Sequence, residues 1–462
     1  MSEVQNMWKP KKKYAINLLF FLISIILIVA IWPKEENDNW LKLLGRIVLV
    51  SSCYLVLYQF LSHFRSEVLM VTRKTLFIII AILSFVVLTR IVIIFPDQHI
   101  LLLIPFAIIP VIIRTFYDAR LALFILLITV MLSGFIVPGP FEFVFISFIS
   151  GMIAIFTLSN MYRRAKLFIT SLMIVLSYSG IYLGISLMKD GNFGNLAWSD
   201  FILIMGNGIL VLISYPLIFI FEKNFLFLSD ATLLELADTN QPLLRKLAEE
   251  APGSFQHSLQ VANLAEEAAR ITGANLLLVR TGALYHDIGK IAHPKYYIEN
   301  QEDEVSPHDN LDPLDSAKVI LNHVKNGVVL AKNYKVPVQI IDFIRTHHGT
   351  TIAYYFYKKY SDQHPWDTSK EKEFTYPGPK PFSKETAVVM MADAVEASSR
   401  SLGKYSEESI SELVEKIIYM KEQEGQFSDV PLTFKDISDI KNVFKKRLLN
   451  IYHVRIVYPE RG

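Results

Sequence analysis

Eight apolar runs, at residues 14–32, 43–61, 75–95, 100–113, 121–137, 143–158, 167–188 and 201–221, fill most of the first half of the chain. In helical form about 20 residues cross a bilayer core, so these lengths predict a polytopic membrane bundle of eight spans. Composition agrees, because 52% of the 462 residues are hydrophobic and only 19% are charged, a balance that an ordinary soluble protein of this length does not show. The fourth run is short and carries Pro105 and Pro110. It is counted as a span, with a kinked or partly re-entrant segment as the alternative.

Basic residues orient the bundle, since positively charged loops are retained in the cytoplasm. Lys11, Lys12 and Lys13 precede the first span; Arg65, Arg73 and Lys74 follow the second; Arg114 and Arg120 follow the fourth; Arg163, Arg164 and Lys166 follow the sixth. The loops between are acidic or nearly uncharged, as in "KEENDNW" and "KDGNFGNLAWSD". Both termini are therefore expected in the cytoplasm of a multi-pass cell-membrane protein. The first run is long and lacks a small-residue cleavage site, so it reads as a span and not as a signal peptide. Cys53, the only cysteine, lies inside a span and reads as plain packing. Arg46 and Arg90 lie in or at the edge of spans, where a charge implies a bundle-facing contact or snorkelling. No series of acidic or histidine groups suited to ion relay runs through the spans, which argues against a pump.

After residue 222 the pattern changes to alternating polar and apolar residues. Four segments follow: 1–41, a tail, first span and short outer loop; 42–222, a seven-span bundle; 223–252, a linker; and 253–462, a soluble cytosolic domain. In the linker, Pro242 divides one short helix from another that ends near Pro252 and Gly253. The soluble domain reads as all-helical. "HSLQVANLAEEAARI" has helical apolar spacing, Asp312 and Pro313 open another helix, a third starts at Ser383, and two amphipathic helices follow.

Nine of the 11 histidines lie after residue 250. His257, the doublet His286–Asp287, His323, the pair His347–His348 and Asp393 fall on separate expected helices or their ends. Imidazole and carboxylate without thiolate suit iron, manganese or catalytic zinc. Seven such groups exceed the needs of one ion, whereas two ions sharing the Asp287 carboxylate would use them all. Each residue alone is more simply a buried side chain; the ordered set is what points to metal.

That ordered set, in "SFQHSLQVANLAEEAA", "YHDIGK", "YYIENQ", "SPHDNLDP", "FIRTHHGT", "YPGPKPFSKETAVVMMADAVEASSR" and "IYHVRIVYPE", resembles the HD superfamily of metal-dependent phosphohydrolases. Within it the chain is most similar to the seven-transmembrane HD-domain phosphodiesterases of cyclic di-AMP. The resemblance implies an all-α HD domain and two divalent metal ions, usually iron or manganese. His257, His286, Asp287 and Asp393 would hold one ion, and Asp287, His323, His347 and His348 the other. It implies a cyclic dinucleotide substrate opened to the linear pApA, in a protein of the lipid bilayer that binds no polymeric nucleic acid; a homodimer is left open. His308 is a second candidate near the site, as ligand support or loop anchor.

Two ions about 3.5–4 Å apart lower the pKa of a shared water, readying hydroxide for in-line attack on phosphorus. Lys290 would offset charge on the phosphate oxygens or, more simply, cap a helix in solvent. The turn of Tyr376, Pro377, Gly378 and Lys380 suits stacking on a purine and meeting a phosphate, or else merely precedes a helix. Arg400, beyond Asp393, is a further candidate for phosphate. Relatives of this group commonly carry a large outer domain after the first span, where this chain has only residues 33–41. A cyclic di-GMP hydrolase is the nearest rival, but the text after "HHG" reads "TTIAYYFYKKY" without that branch's "GYP". A receptor or transporter with a nucleotide-binding domain is the alternative outside enzymes.

Overall fold

Within hydrocarbon every backbone polar group needs a partner in the chain, a requirement that helices meet internally. The computed structural model describes residues 2–33, 36–158, 165–193, 196–301, 306–367 and 369–452. Arg163, Arg164 and the closing stretch from His453 lie outside these residues. Contacts divide the chain into two units, Met1–Ser229 and Asp230–Gly462.

Among the described residues of the first unit six segments are long and apolar enough to span: Trp40–Phe64, Thr72–Ile93, Gln98–Phe116, Pro140–Thr157, Lys166–Asp190 and Trp198–Phe225. Ala15–Ile31 and Ala119–Gly134 are apolar helices of shorter length. The eight expected runs are thus all helical, with two below full spanning length. The fourth is broken at Pro105, into a 3-10 turn at Gln98–Leu103 and a helix at Ile108–Phe116 whose first turn holds Pro110. The carbonyls of Leu102 and Ile104, freed by the break, accept from the buried Asn207 amide at 2.9 and 2.8 Å. Buried Asp200 accepts from His99 Nδ1 at 2.9 Å and from the Tyr182 hydroxyl. Arg46 pairs with Asp38 and lies over the Trp32 ring, while Arg90 donates to the Ile31 carbonyl. Cys53 is buried and free.

The helices of the second unit are numbered α1 (Asp230–Leu236), α2 (Pro242–Glu250), α3 (Pro252–Thr272), α4 (Leu276–Tyr285), α5 (Pro313–Asn333), α6 (Val338–Thr346), α7 (Tyr354–Gln363), α8 (Lys384–Ser399), α9 (Glu407–Gln423) and α10 (Phe434–Ile451). Short polar side chains fix their starts: Asn275 accepts from Leu278 N, Asp312 from Leu314 N and Ser383 from Thr386 N. The buried face of α3 is built on Val261, Ala262, Ala265, Ala268 and Ala269, small enough for α4, α8 and α10 to pack closely around it. Among the described residues the extended structure is one isolated bridge, Ile352 with Thr375.

One glycine fixes where the doublet sits. α4 ends at Tyr285, His286 caps it, and the chain tightens into a 3-10 turn at Ile288–Ala292. A Cβ on Gly289 would lie 1.8 Å from the His323 carbonyl and 2.5 Å from Gly327 N, so only glycine lets this turn touch the backbone of α5 beside His323. Gly289→Ala is expected to destabilise the second unit by about 1–3 kcal/mol through overpacking. Gly403→Ala, with nothing within 4 Å of its Cβ, is the control that leaves the melting temperature of the full chain in detergent unchanged.

Candidate metal centre

Five helices converge on one buried locus. α3 supplies His257; the end of α4 supplies His286 and Asp287; α5 supplies His323; the end of α6 supplies His347 and His348; α8 supplies Asp393. All seven are buried except His348, which is partly exposed. Donor atoms fall into overlapping sets in which every atom lies within 4.8 Å of the others: His257, His286 and Asp393; His286, Asp287 and His347; His323, His347 and His348.

The two oxygens of Asp287 face different imidazoles. Oδ2 lies 3.3 Å from His286 Nε2 and 3.6 Å from His257 Nε2, whereas Oδ1 lies 3.5 Å from His323 Nε2 and 3.6 Å from His347 Nε2. Asp393 Oδ1 approaches His257 and His286 at 2.9 and 3.6 Å, and its Oδ2 approaches His348 Nδ1 at 4.0 Å. One carboxylate thus sits between two groups of donors.

The other imidazole nitrogen explains this aim. Nδ1 of His286, His323 and His347 lies 2.6, 2.6 and 2.9 Å from the carbonyls of Ala283, Ile320 and Ile344, each three residues back on its own helix. A carbonyl only accepts, so Nδ1 carries the proton and Nε2 presents a lone pair. Nε2 of His323 and His347 then face one another at 3.1 Å with no proton between them. His286 Nε2 and Asp287 Oδ1 are buried without hydrogen-bond partners. Converging lone pairs and unpartnered buried acceptors are what a bound cation resolves, and this donor set fits divalent metal ions.

Electrostatics point the same way. Burial, aided by His347 and Lys290, pushes His323 down to about 3 despite Asp287. Burial, with His347 beside it, likewise holds His348 well below the usual histidine range. Burial also disfavours the charged forms of His286, Asp287 and Asp393, but neighbouring charges outweigh it: Asp287 pushes His286 up to about 10, Lys290 and His286 hold the Asp287 carboxyl well below the carboxylate range, and His257 and His286 do the same for Asp393.

Lys290 is not solvated. Its Nζ lies 2.7 Å from Asp287 Oδ2, 2.8 Å from Glu299 Oε1 and over the Tyr297 ring, and these carboxylates overcome burial to hold it above the usual lysine range. A cavity of about 740 Å³ opens on the centre, lined among others by Asp287, Lys290, His348, Tyr376, Asp393 and Arg400. Tyr376 stacks on His348 with ring centroids 4.2 Å apart. Pro377, Gly378 and Lys380 do not line this cavity; Lys380 turns away, and its Nζ donates to the Gly425 carbonyl at 2.9 Å. His308 lies at the loop, with Nε2 2.9 Å from the Tyr296 carbonyl.

Two acidic residues of the site escape a reading built on histidines. Glu396 meets His257 Nδ1 at 2.5 Å, and Glu299 holds Lys290 while accepting from the Ser254 hydroxyl at 2.8 Å. The available signal for Glu396 was its place three residues after Asp393, on the same helical face.

Comparison with known proteins follows the same division. Residues 40–229 match the family model of a 7TM receptor with intracellular HD hydrolase, and residues 254–398 match that of the HD domain. The cyclic-di-AMP phosphodiesterase PgpH of Bacillus subtilis is 39% identical over 70% of this chain and 46% of its own length. PgpH of Listeria monocytogenes is 33% identical over 98% of this chain and 60% of its own length. The chain thus spans about half to three fifths of the length of these curated relatives. Crystal structures of the L. monocytogenes PgpH HD domain, one in complex with cyclic-di-AMP, are 42% identical, cover 46% of this chain and 100% of their own, and give TM-scores of 0.44 and 0.45. An apolar helical region followed by an HD domain carrying the histidine–aspartate doublet makes this chain a membrane protein of the HD superfamily, in the seven-transmembrane HD family to which PgpH belongs.

Proposed function

We propose that this protein is a membrane-anchored phosphodiesterase that hydrolyses cyclic di-AMP to pApA at a centre of two divalent metal ions, iron or manganese, with both termini in the cytoplasm. The observation that carries the reading is Asp287, whose two oxygens face two separate pairs of imidazole lone pairs. His257, His286, Asp287 and Asp393 would hold one ion; Asp287, His323, His347 and His348 would hold the other. The similarity to PgpH proteins favours cyclic di-AMP among cyclic dinucleotides.

When bound, the ions supply an acidified water and positive charge for the phosphate oxygens. The protein's own residues do the positioning. Nδ1 contacts aim the imidazoles, and the ion pairs of Lys290 with Asp287 and Glu299 keep an ammonium beside the reacting phosphate. Hydrolysis adds water across one of the two phosphodiesters: a P–O bond forms, the 3′ oxygen leaves with a proton, and the opened ring is the linear dinucleotide. Tyr354 and Tyr355, exposed at the cavity, offer aromatic faces to the bases, and Arg400 offers a guanidinium to the second phosphate. The basic loops favour an orientation of the bundle with this domain inside the cell.

Purified protein in detergent, stripped by a chelator and offered a panel of cyclic dinucleotides, is expected to be inert. Manganese or ferrous iron should restore cleavage of cyclic di-AMP in preference to cyclic di-GMP, with pApA as product. Asp287→Ala should abolish turnover with either metal; turnover kept by that variant, or no cleavage in any metal, sinks the reading. Base stacking of about 1–3 kcal/mol predicts that Tyr355→Ala raises KM roughly tenfold while kcat is kept, measured by initial rates.

A further inference from the structure

We infer that Glu396 is a positioning residue of the metal centre, holding His257 in the one tautomer and orientation that can bind an ion, with Arg400 holding Glu396 in turn. The inference rests on the metal reading above. Its starting point is a difference among the four imidazoles that present Nε2. His286, His323 and His347 rest Nδ1 on the carbonyl three residues back in their own helix, a support that each helix supplies by itself. His257 has a different support. Its Nδ1 lies 2.5 Å from Glu396 Oε2, on a helix 139 residues further along the chain.

Both partners are buried, with 4% of each exposed, so water does not compete for the contact. A carboxylate accepts only, so Nδ1 donates to Glu396, and Nε2 is the nitrogen turned toward Asp393 Oδ1 at 2.9 Å and Asp287 Oδ2 at 3.6 Å, where a bound cation would take the place of a proton between them. A buried carboxylate would itself be costly without a counter-charge. Arg400 supplies one, its Nε and Nη2 lying 2.9 and 2.7 Å from the other oxygen, Oε1. Glu396 therefore has each oxygen committed, one to the ligand and one to an arginine at the cavity. An ionised acceptor also makes the imidazole a stronger donor through Nε2 than a neutral carbonyl does, and partners of this type change metal affinity by 10–100-fold.

The test is manganese binding to the metal-stripped full-length protein in detergent, followed by electron paramagnetic resonance or calorimetry. Glu396→Ala should weaken affinity by about 10–100-fold. The isosteric Glu396→Gln keeps an acceptor oxygen without the charge, so it should weaken binding by a smaller factor, and it carries the test should the alanine variant not fold. In a His257→Ala background, Glu396→Gln should have no further effect, because the residue acts through His257. Unchanged affinity in Glu396→Gln and Glu396→Ala overturns the inference alone, as does an equal loss with or without His257. Wild-type protein that takes up neither manganese nor iron overturns this inference together with the metal reading.

Discussion

Buried charge organises the soluble unit. Asp287, Asp393, Glu396 and Glu299 bring four carboxylates into or beside one largely desolvated locus, against the ammonium of Lys290 and the guanidinium of Arg400. With neutral imidazoles that leaves two negative charges in excess, and an uncompensated buried charge is among the most destabilising features a fold can carry. Two divalent cations, as proposed, would reverse the sign to two positive charges. A cyclic dinucleotide carries two negative phosphodiesters and would return the whole to neutrality. A cation at this point would relieve the repulsion where α3, α4, α5, α6 and α8 meet, so the proposed metal uptake would couple to the stability of the unit.

Much of this was legible in the sequence because ligands that hold a cation must be histidines or acids, and the histidines are few. His257, His286, His323, His347 and His348 stood out as members of a small, skewed set, with Asp287 marked by its neighbour and Asp393 by its surrounding text. Glu396 and Glu299 carried no such mark, being two among 44 acidic residues whose role depends on tertiary contact. Lys290 could be read as an exposed helix end because sequence does not display Glu299 and Tyr297 closing over it. The turn before α8 shows the reverse: Tyr376 lines the cavity, while Lys380 on the same short segment points to Gly425, a direction set by backbone geometry and not by composition.

The membrane unit was read from hydropathy, which reports apolar length but not continuity. Pro105 correctly signalled the break in the fourth segment, yet its repair by Asn207, over 100 residues away, is invisible to any local pattern. At the other end of this unit Phe227 packs among Phe77, Phe116, Phe225 and Tyr117, and the Glu222 side chain accepts from Ser229 N. In the second unit, α1 is bound to α4 by hydrogen bonds from Thr281 and Tyr285 to the carbonyls of Leu233 and Leu236. The helix held by α1 is the one that ends in His286 and Asp287.

The way the imidazoles are aimed shows why an HD doublet belongs at a helix end. The last carbonyls of a helix lack intrahelical partners. A histidine at the terminus can bend its ring back onto one of them, as His286 does on Ala283 and His347 on Ile344, satisfying the carbonyl and fixing its own tautomer in one contact. The following residue then leaves the helical path, which is how Asp287, with φ −108° and ψ 12°, turns its carboxylate across the gap between two helices. His323, in the middle of α5, rests on the Ile320 carbonyl in the same way, so a place inside a helix does not forbid that contact. His257, within α3, is steadied instead from α8, by Glu396.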